Sequence, residues 1–192
     1  MGKASVWEVI FLKILVMSDT HGDVSFWEMI KGKIEESNLV IHAGDVLYHG
    51  PRNPLPAGYN PQKLSELINN SGLSFFISKG NCDADVDQLM LRYPIMSPYV
   101  FLYLPPWKIL VTHGEEKSED ELWDLMDKFG VDLLVFGHIH IPVLKKKEDK
   151  ILLNPGSPSL SKISQKTIAL IEDNKVIIWD INNNKELDSI SL

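Results

Sequence analysis

Val16-Met17-Ser18-Asp19-Thr20-His21-Gly22-Asp23 starts in an apolar run and breaks off into a carboxylate and an imidazole two residues apart. Phe136-Gly137-His138-Ile139-His140 repeats the pattern with two imidazoles at the same spacing. In an extended segment residues i and i+2 point to one side, so each pair is expected to close on one ion. Three more apolar runs stop in the same way. Leu39-Val40-Ile41-His42-Ala43-Gly44 ends on Asp45, Phe75-Phe76-Ile77-Ser78-Lys79-Gly80 on Asn81, and Ile109-Leu110-Val111-Thr112 on His113. Short apolar strands of this kind suit a buried parallel sheet, whose ligands gather beyond the carboxyl ends of the strands. All five ends are expected to converge on one site.

Around these ends the chain alternates strand and helix. After a short extension over 1–9, the first strand reads as 11–17. Asp23 is placed to cap a helix carrying Phe26, Trp27, Ile30 and Ile34. A Gly- and Pro-rich loop over 46–60 leads to Asn60-Pro61, which opens a helix with Leu64, Leu67 and Ile68 on one face. A strand over 73–78 precedes Asn81, and a short helix runs through Val86, Leu89 and Met90. Strands near 99–104 and 107–112 pair as a hairpin about Pro105-Pro106. Ser118 with Glu121 forms a capping box for a helix bearing Leu122, Leu125, Met126 and Phe129, closed by Gly130. A strand over 132–136 then reaches His138. Beyond it, strands over 142–147, 150–154, 167–172, 175–181 and 186–190 are joined by turns such as Asp173-Asn174 and Asn182-Asn183-Asn184. The expected fold is α/β: a four-layer α/β/β/α sandwich of two mixed β-sheets flanked by helices, one domain over residues 1–192.

Composition is that of a soluble globular chain, 44% hydrophobic and 23% charged over 192 residues. The formal net charge of -7 argues against a broad nucleic-acid footprint, which needs basic residues. One cysteine, Cys82, allows no internal disulfide and suits a reducing compartment. Glu8 and Lys13 interrupt the apolar N-terminus, which therefore does not read as a cleaved signal. Val6 stands where a myristoylation signal needs Ser or Thr. No apolar run approaches the roughly 20 residues of a membrane span. A cytoplasmic location is expected, with a small substrate as partner; exposed strand edges in the C-terminal meander offer a route to a homo-oligomer.

The expected metal ligands are Asp19, His21, Asp45, Asn81, His113, His138 and His140. Carboxylate, imidazole and amide oxygen together suit Mn²⁺, Fe, Zn²⁺ or Co²⁺ better than Ca²⁺. Asp45, central in the set, could bridge two ions roughly 3.5–4 Å apart. Taken singly, each residue reads as ordinary turn chemistry. Four of the six histidines nevertheless fall at these strand ends, which makes the set hard to ascribe to chance.

In order, Asp19-Thr20-His21, Gly44-Asp45, Gly80-Asn81, His113-Gly114 and Gly137-His138-Ile139-His140 resemble the five blocks of the calcineurin-like metallophosphoesterases. The resemblance spans about 13–159. His49-Gly50-Pro51-Arg52-Asn53-Pro54-Leu55-Pro56, Gly80-Asn81-Cys82-Asp83 and Asn154-Pro155-Gly156-Ser157 are similar to the small bacterial YfcE-type phosphodiesterases. That resemblance implies two divalent ions, with Mn²⁺ the usual one and Zn²⁺, Fe, Ni²⁺ or Co²⁺ as alternatives. Asp19, His21, Asp45 and His140 would hold one ion, and Asp45, Asn81, His113 and His138 the other. A bridging hydroxide would attack a small phosphodiester, with Asn81, Cys82 and Arg52 near the substrate. Cys82 replaces a histidine common in larger relatives, so no general acid is assigned; Glu115 likewise stands where relatives often carry histidine. Glu115 is either a solvated loop residue or a charge that repels an anionic substrate. Two other functions compete: a phosphomonoesterase, and a non-catalytic protein-binding scaffold of the Vps29 type, which would be free to lose ligands.

Other polar residues have plainer readings. His42, inside an apolar strand, reads as a hydrogen-bonded core histidine, and the loop of His49 as a cover for the site. Arg52 is either a surface arginine or a bidentate phosphate contact. Asp23 and Asp83 either orient ligand imidazoles or cap helices. Asn154-Pro155-Gly156-Ser157 is first a turn, and Lys145-Lys146-Lys147 a solvated sheet edge.

Overall fold

A computed structural model of the chain describes residues 12–105, 107–172 and 175–191. The N-terminal extension, the start of the first strand, Pro106 and the Asp173-Asn174 turn lie outside the described residues. In chain order the elements are β1 (Ile14–Met17), α1 (Lys31–Glu36), β2 (Leu39–His42), α2 (Pro61–Asn69), β3 (Ser74–Ile77) and α3 (Asp85–Met90). There follow β4 (Val100–Leu104), β5 (Trp107–Val111), α4 (Glu119–Phe129), β6 (Leu133–Val135), β7 (Pro142–Lys147), β8 (Lys150–Pro155), β9 (Thr167–Glu172), β10 (Lys175–Asp180) and β11 (Lys185–Ser191).

The strands form two mixed sheets, one ordered β11-β10-β9-β1-β2-β3 and the other β4-β5-β6-β8-β7. Parallel pairing within each sheet, over β1-β2-β3 at one end of the first and β5-β6-β8 in the second, aims their carboxyl ends the same way. Successive strand residues face opposite sides, and β1 uses both. Ile14 and Val16 join Ile41, Val111, Val135 and Leu153 in the layer between the sheets. Leu15 and Met17 pack outward with Ile34 of α1 and Leu64 and Ile68 of α2. On the other sheet Leu110, Leu134 and Leu152 meet Leu122 and Met126 of α4. The result is the expected α/β/β/α layering.

Two helices start as their sequence predicts. Asn60 Oδ1 accepts from Lys63 N ahead of Pro61, and Ser118 and Glu121 form the reciprocal capping box of α4. Gly130 ends α4 in the left-handed region, at φ 61°. The helix expected after Asp23 is different. That segment passes through a 3₁₀ turn, Glu28–Ile30, and becomes α-helical only at Lys31. The Asp23 carboxylate accepts from Ser25 N and lies 3.7 Å from Lys166 Nζ, so it holds a loop rather than capping a helix. Lys145, Lys146 and Lys147 are exposed on β7, an edge strand, as expected.

Candidate metal centre

Backbone bonds gather the strand ends before any side chain acts. Asp19 N–H donates to Gly44 O, His21 N–H to Asp45 O and Gly137 N–H to His113 O. Gly44, at φ 94°, lets two loops touch: a Cβ there would lie 2.6 Å from Gly80 N. A Cβ on Gly137 would strike Ser18 Oγ.

The ligand pairs do not sit in extended chain. Asp19, His21, Asp45, His138 and His140 have φ of 54°, 47°, 59°, 68° and 58°. Five non-glycine residues thus occupy the left-handed region, which costs L-residues roughly 1–2 kcal/mol each and which Asp and His visit more readily than most. The reversal at each strand end, rather than i, i+2 alternation, turns these side chains inward. Strained backbone of this kind concentrates at functional sites.

Three imidazoles are oriented alike. His21 Nδ1 is 2.8 Å from Tyr48 O, His113 Nδ1 2.7 Å from Ala43 O and His140 Nδ1 2.7 Å from Leu160 O. Because a carbonyl only accepts, each ring carries a proton on Nδ1 and, when neutral, offers Nε2 as a lone pair. These Nε2 atoms surround two buried carboxylates. Asp19 Oδ1 is 3.3 Å from His140 Nε2 and 3.9 Å from His113 Nε2, and Asp45 Oδ2 is 3.4 Å from His113 Nε2 and 3.8 Å from His21 Nε2. His21 and His140 Nε2 face each other at 3.1 Å. Asp19 Oδ1 and His113 Nε2 have no hydrogen-bond partner although both are buried. Acceptors this close, without donors between them, suit a cation, so the donor set fits divalent metal.

Electrostatics agree. Burial raises carboxylate pKa values, yet His113 and the other imidazoles more than compensate and hold Asp45 well below its usual range. Asp19 is lowered as well, by His140 and His113 against the opposing effect of burial. Burial alone would lower His113, but the Asp45 and Asp19 carboxylates raise it to about 9. The pair is too misaligned for a good hydrogen bond, so that attraction is mainly Coulombic. His138, lowered chiefly by burial and by His113, packs its ring edge-on to His113. Its N–H donates to Asp19 Oδ2.

A cavity of about 700 Å³ opens over this cluster, lined by Asp45, Arg52, Asn81, Cys82, His138 and Lys162 among others. Asn81 is exposed and turns Nδ2 to Cys82 Sγ, 3.3 Å away. Cys82 N–H donates to Asp45 Oδ1 at 2.7 Å, while burial and the Asp45 carboxylate push its thiol far up and keep it neutral. Arg52 is exposed, as a surface arginine, and lines the cavity. Glu115 is exposed and absent from the cavity wall, yet its charge reaches His138, where it opposes the larger lowering by burial and His113.

Asp83 neither caps α3 nor touches an imidazole. Its carboxylate accepts from Asp45 N, Val46 N and Gly80 N and so fixes the two loops; burial pushes it up to about 6 against those bonds. His42 is the core histidine expected. Gly44 N–H donates to its Nδ1, so Nε2–H donates to Thr20 Oγ1, which donates onward to Val46 O. His49 packs edge-on to Tyr59. Lys162 went unnoticed in the sequence because it follows no strand end; its proximity to Ser157 was the only signal.

Residues 12–175 match the calcineurin-like phosphoesterase superfamily domain. The chain belongs to that superfamily, a class of phosphoester hydrolases that work with divalent metal. It is 36% identical to phosphodiesterase YfcE of Escherichia coli over 153 residues, covering 79% of this chain and 82% of that protein. It is 31% identical to a probable metallophosphoesterase of Methanocaldococcus jannaschii over 80% of this chain and 71% of that one. The structure of the Escherichia coli phosphoesterase superposes with a TM-score of 0.82 at 28% identity, covering 94% and 99% of the two chains. Vps29 of Cryptosporidium parvum shares the fold, with a TM-score of 0.71 at 20% identity over 95% and 99%. Among the described residues no helix is long and apolar enough to cross a membrane.

Proposed function

We propose that this chain is a metal-dependent phosphodiesterase acting on a small phosphodiester at a centre of two divalent ions. Asp19, His21, Asp45 and His140 would hold one ion, and Asp45, Asn81, His113 and His138 the other, with Mn²⁺ the favoured metal. The observation that carries this reading is the orphaned pair Asp19 Oδ1 and His113 Nε2, buried side by side without a hydrogen-bond partner for either. Such ions supply Lewis acidity towards a phosphoryl oxygen and lower the pKa of water towards about 7.

The chain's own groups do the rest. Asp45 reaches both halves of the cluster, as a bridge must. Tyr48, Ala43 and Leu160 carbonyls fix the imidazole tautomers. Among the described residues Arg52 and Lys162 have no carboxylate partner, and both stand at the cavity wall, where they draw in an anionic ester. The neutral Cys82 thiol serves as neither base nor thiolate ligand in this state.

The test is turnover of an aryl phosphodiester by chelator-stripped protein, with and without Mn²⁺, beside the matching monoester. Activity restored by metal and greater on the diester is expected. Greater activity on the monoester would make the chain a phosphomonoesterase. Folded protein inactive with Mn²⁺, Co²⁺, Ni²⁺ and Zn²⁺ alike would favour a protein-binding scaffold.

A further inference from the structure

The turn after β8 contains a buried hydroxyl that the roles above leave unused. Ser157 Oγ donates to Asp19 O at 2.8 Å and accepts from Ser159 N at 3.1 Å and Leu160 N at 2.8 Å. The Leu160 carbonyl in turn accepts from His140 Nδ1, and Lys162 N–H donates to His140 O at 3.1 Å. Asp19 follows β1 of one sheet, and His140 lies between β6 and β7 of the other. Their Oδ1 and Nε2 atoms are nevertheless 3.3 Å apart. A single hydroxyl grips the backbone of the first and, through one carbonyl, sets the ring of the second. Asp45, shared by both halves, is braced by a separate group, since Asp83 holds the backbone of Asp45, Val46 and Gly80. The two braces share no atom.

We propose that Ser157 is a positioning residue for one half of the centre only. It fixes Asp19 against His140, and thereby the affinity of the ion these two would hold, while Asp83 braces the ligand common to both ions. This rests on the two-ion reading above. Partners one step removed from a metal typically change its affinity 10–100-fold when removed.

Titration of chelator-stripped protein with Mn²⁺, followed by calorimetry and by electron paramagnetic resonance, reads each ion separately. Ser157→Ala is expected to weaken one ion by roughly 10–100-fold and leave the other unchanged. Ser157→Thr, which keeps the hydroxyl, should restore binding, whereas Asp83→Asn, which loosens the shared ligand Asp45, should weaken both ions. Ser65→Ala is the control for mere loss of stability, because that buried hydroxyl bonds Gln62 O within α2; both ions should bind it normally. Equal weakening of both ions by Ser157→Ala, or no weakening in folded protein, overturns the proposal.

Should Ser157→Ala not fold, amide exchange in the unaltered protein decides. Saturating Mn²⁺ should slow exchange at Ser159 and Leu160, the two amides bound to Ser157, and unchanged exchange there overturns the brace. If the unaltered protein bound a single ion, the two-ion reading would fall. The brace would then stand or fall on whether Ser157→Ala weakens that ion.

Discussion

Asp45 is the residue on which both halves of the cluster depend. Its Oδ2 faces His21 and His113, while its Oδ1 accepts from Cys82 N, so neither oxygen is spare. Asp45→Asn keeps the shape but removes the charge that would balance two cations, and it aims an NH₂ group at an imidazole lone pair or at Cys82 N–H. Loss of roughly 100–1000-fold in diester turnover is expected, as when an electrostatic group at a reacting centre is removed. Circular dichroism should show the variant folded, and full activity in such a protein would sink the two-ion reading. At this scale the chemistry was legible and the backbone was not. Asp19, His21, Asp45, His113, His138 and His140 stand out because apolar runs end beside them. The left-handed φ that turns five of them inward depends on neighbouring loops, as do the roles of Asp83 and Lys162.

At the scale of elements, α4 isolates what local sequence dictates. Ser118 Oγ accepts from Glu121 N, and Glu121 Oε2 accepts from Ser118 N at 2.8 Å, so each residue satisfies an otherwise orphaned N–H of the other. Ser118→Ala should cost about 1 kcal/mol in urea unfolding. Diester turnover should not change, since α4 packs on the far side of its sheet from the other sheet and Ser118 touches no cluster residue. A large loss of turnover would mean that α4 supports the His113 loop more directly than its contacts indicate. Signals of this local kind, Asn60-Pro61 included, were readable because cap and helix lie within four residues. Asp23 misled for the opposite reason: its carboxylate is engaged by Ser25 N and Lys166, and Asp23 also bridges to Tyr59, so the helix starts later, at Lys31.

For the whole molecule, buried ionisable groups set how stability depends on pH. Burial lowers His42 to about 4, whereas the Asp45 and Asp19 carboxylates override burial and raise His113 to about 9, both from an ordinary 6.5. A histidine lowered by folding contributes stability present above 6.5 and lost as pH falls towards 4. One raised by folding contributes stability present below 6.5 and lost as pH rises through 9. The depressed carboxylates of Asp19 and Asp45 express the His113 attraction from the other side and are not counted again. Asp83, raised by burial to about 6, gains stability as pH falls towards its ordinary 3.8 and so opposes the His42 loss. Metal-free protein should therefore lose stability chiefly above pH 6.5, by up to about 3 kcal/mol as pH rises through 9. A cation at the centre would take the place of the His113 proton, so it should abolish the alkaline loss. Each ion held at 100 times its dissociation constant adds about 2.7 kcal/mol, or roughly 5–10 °C in a chain of this size. Thermal melts from pH 5 to 9, with and without Mn²⁺, check this directly. Identical melts above pH 6.5 would mean that the imidazoles and carboxylates gathered from both sheets hold protons rather than metal.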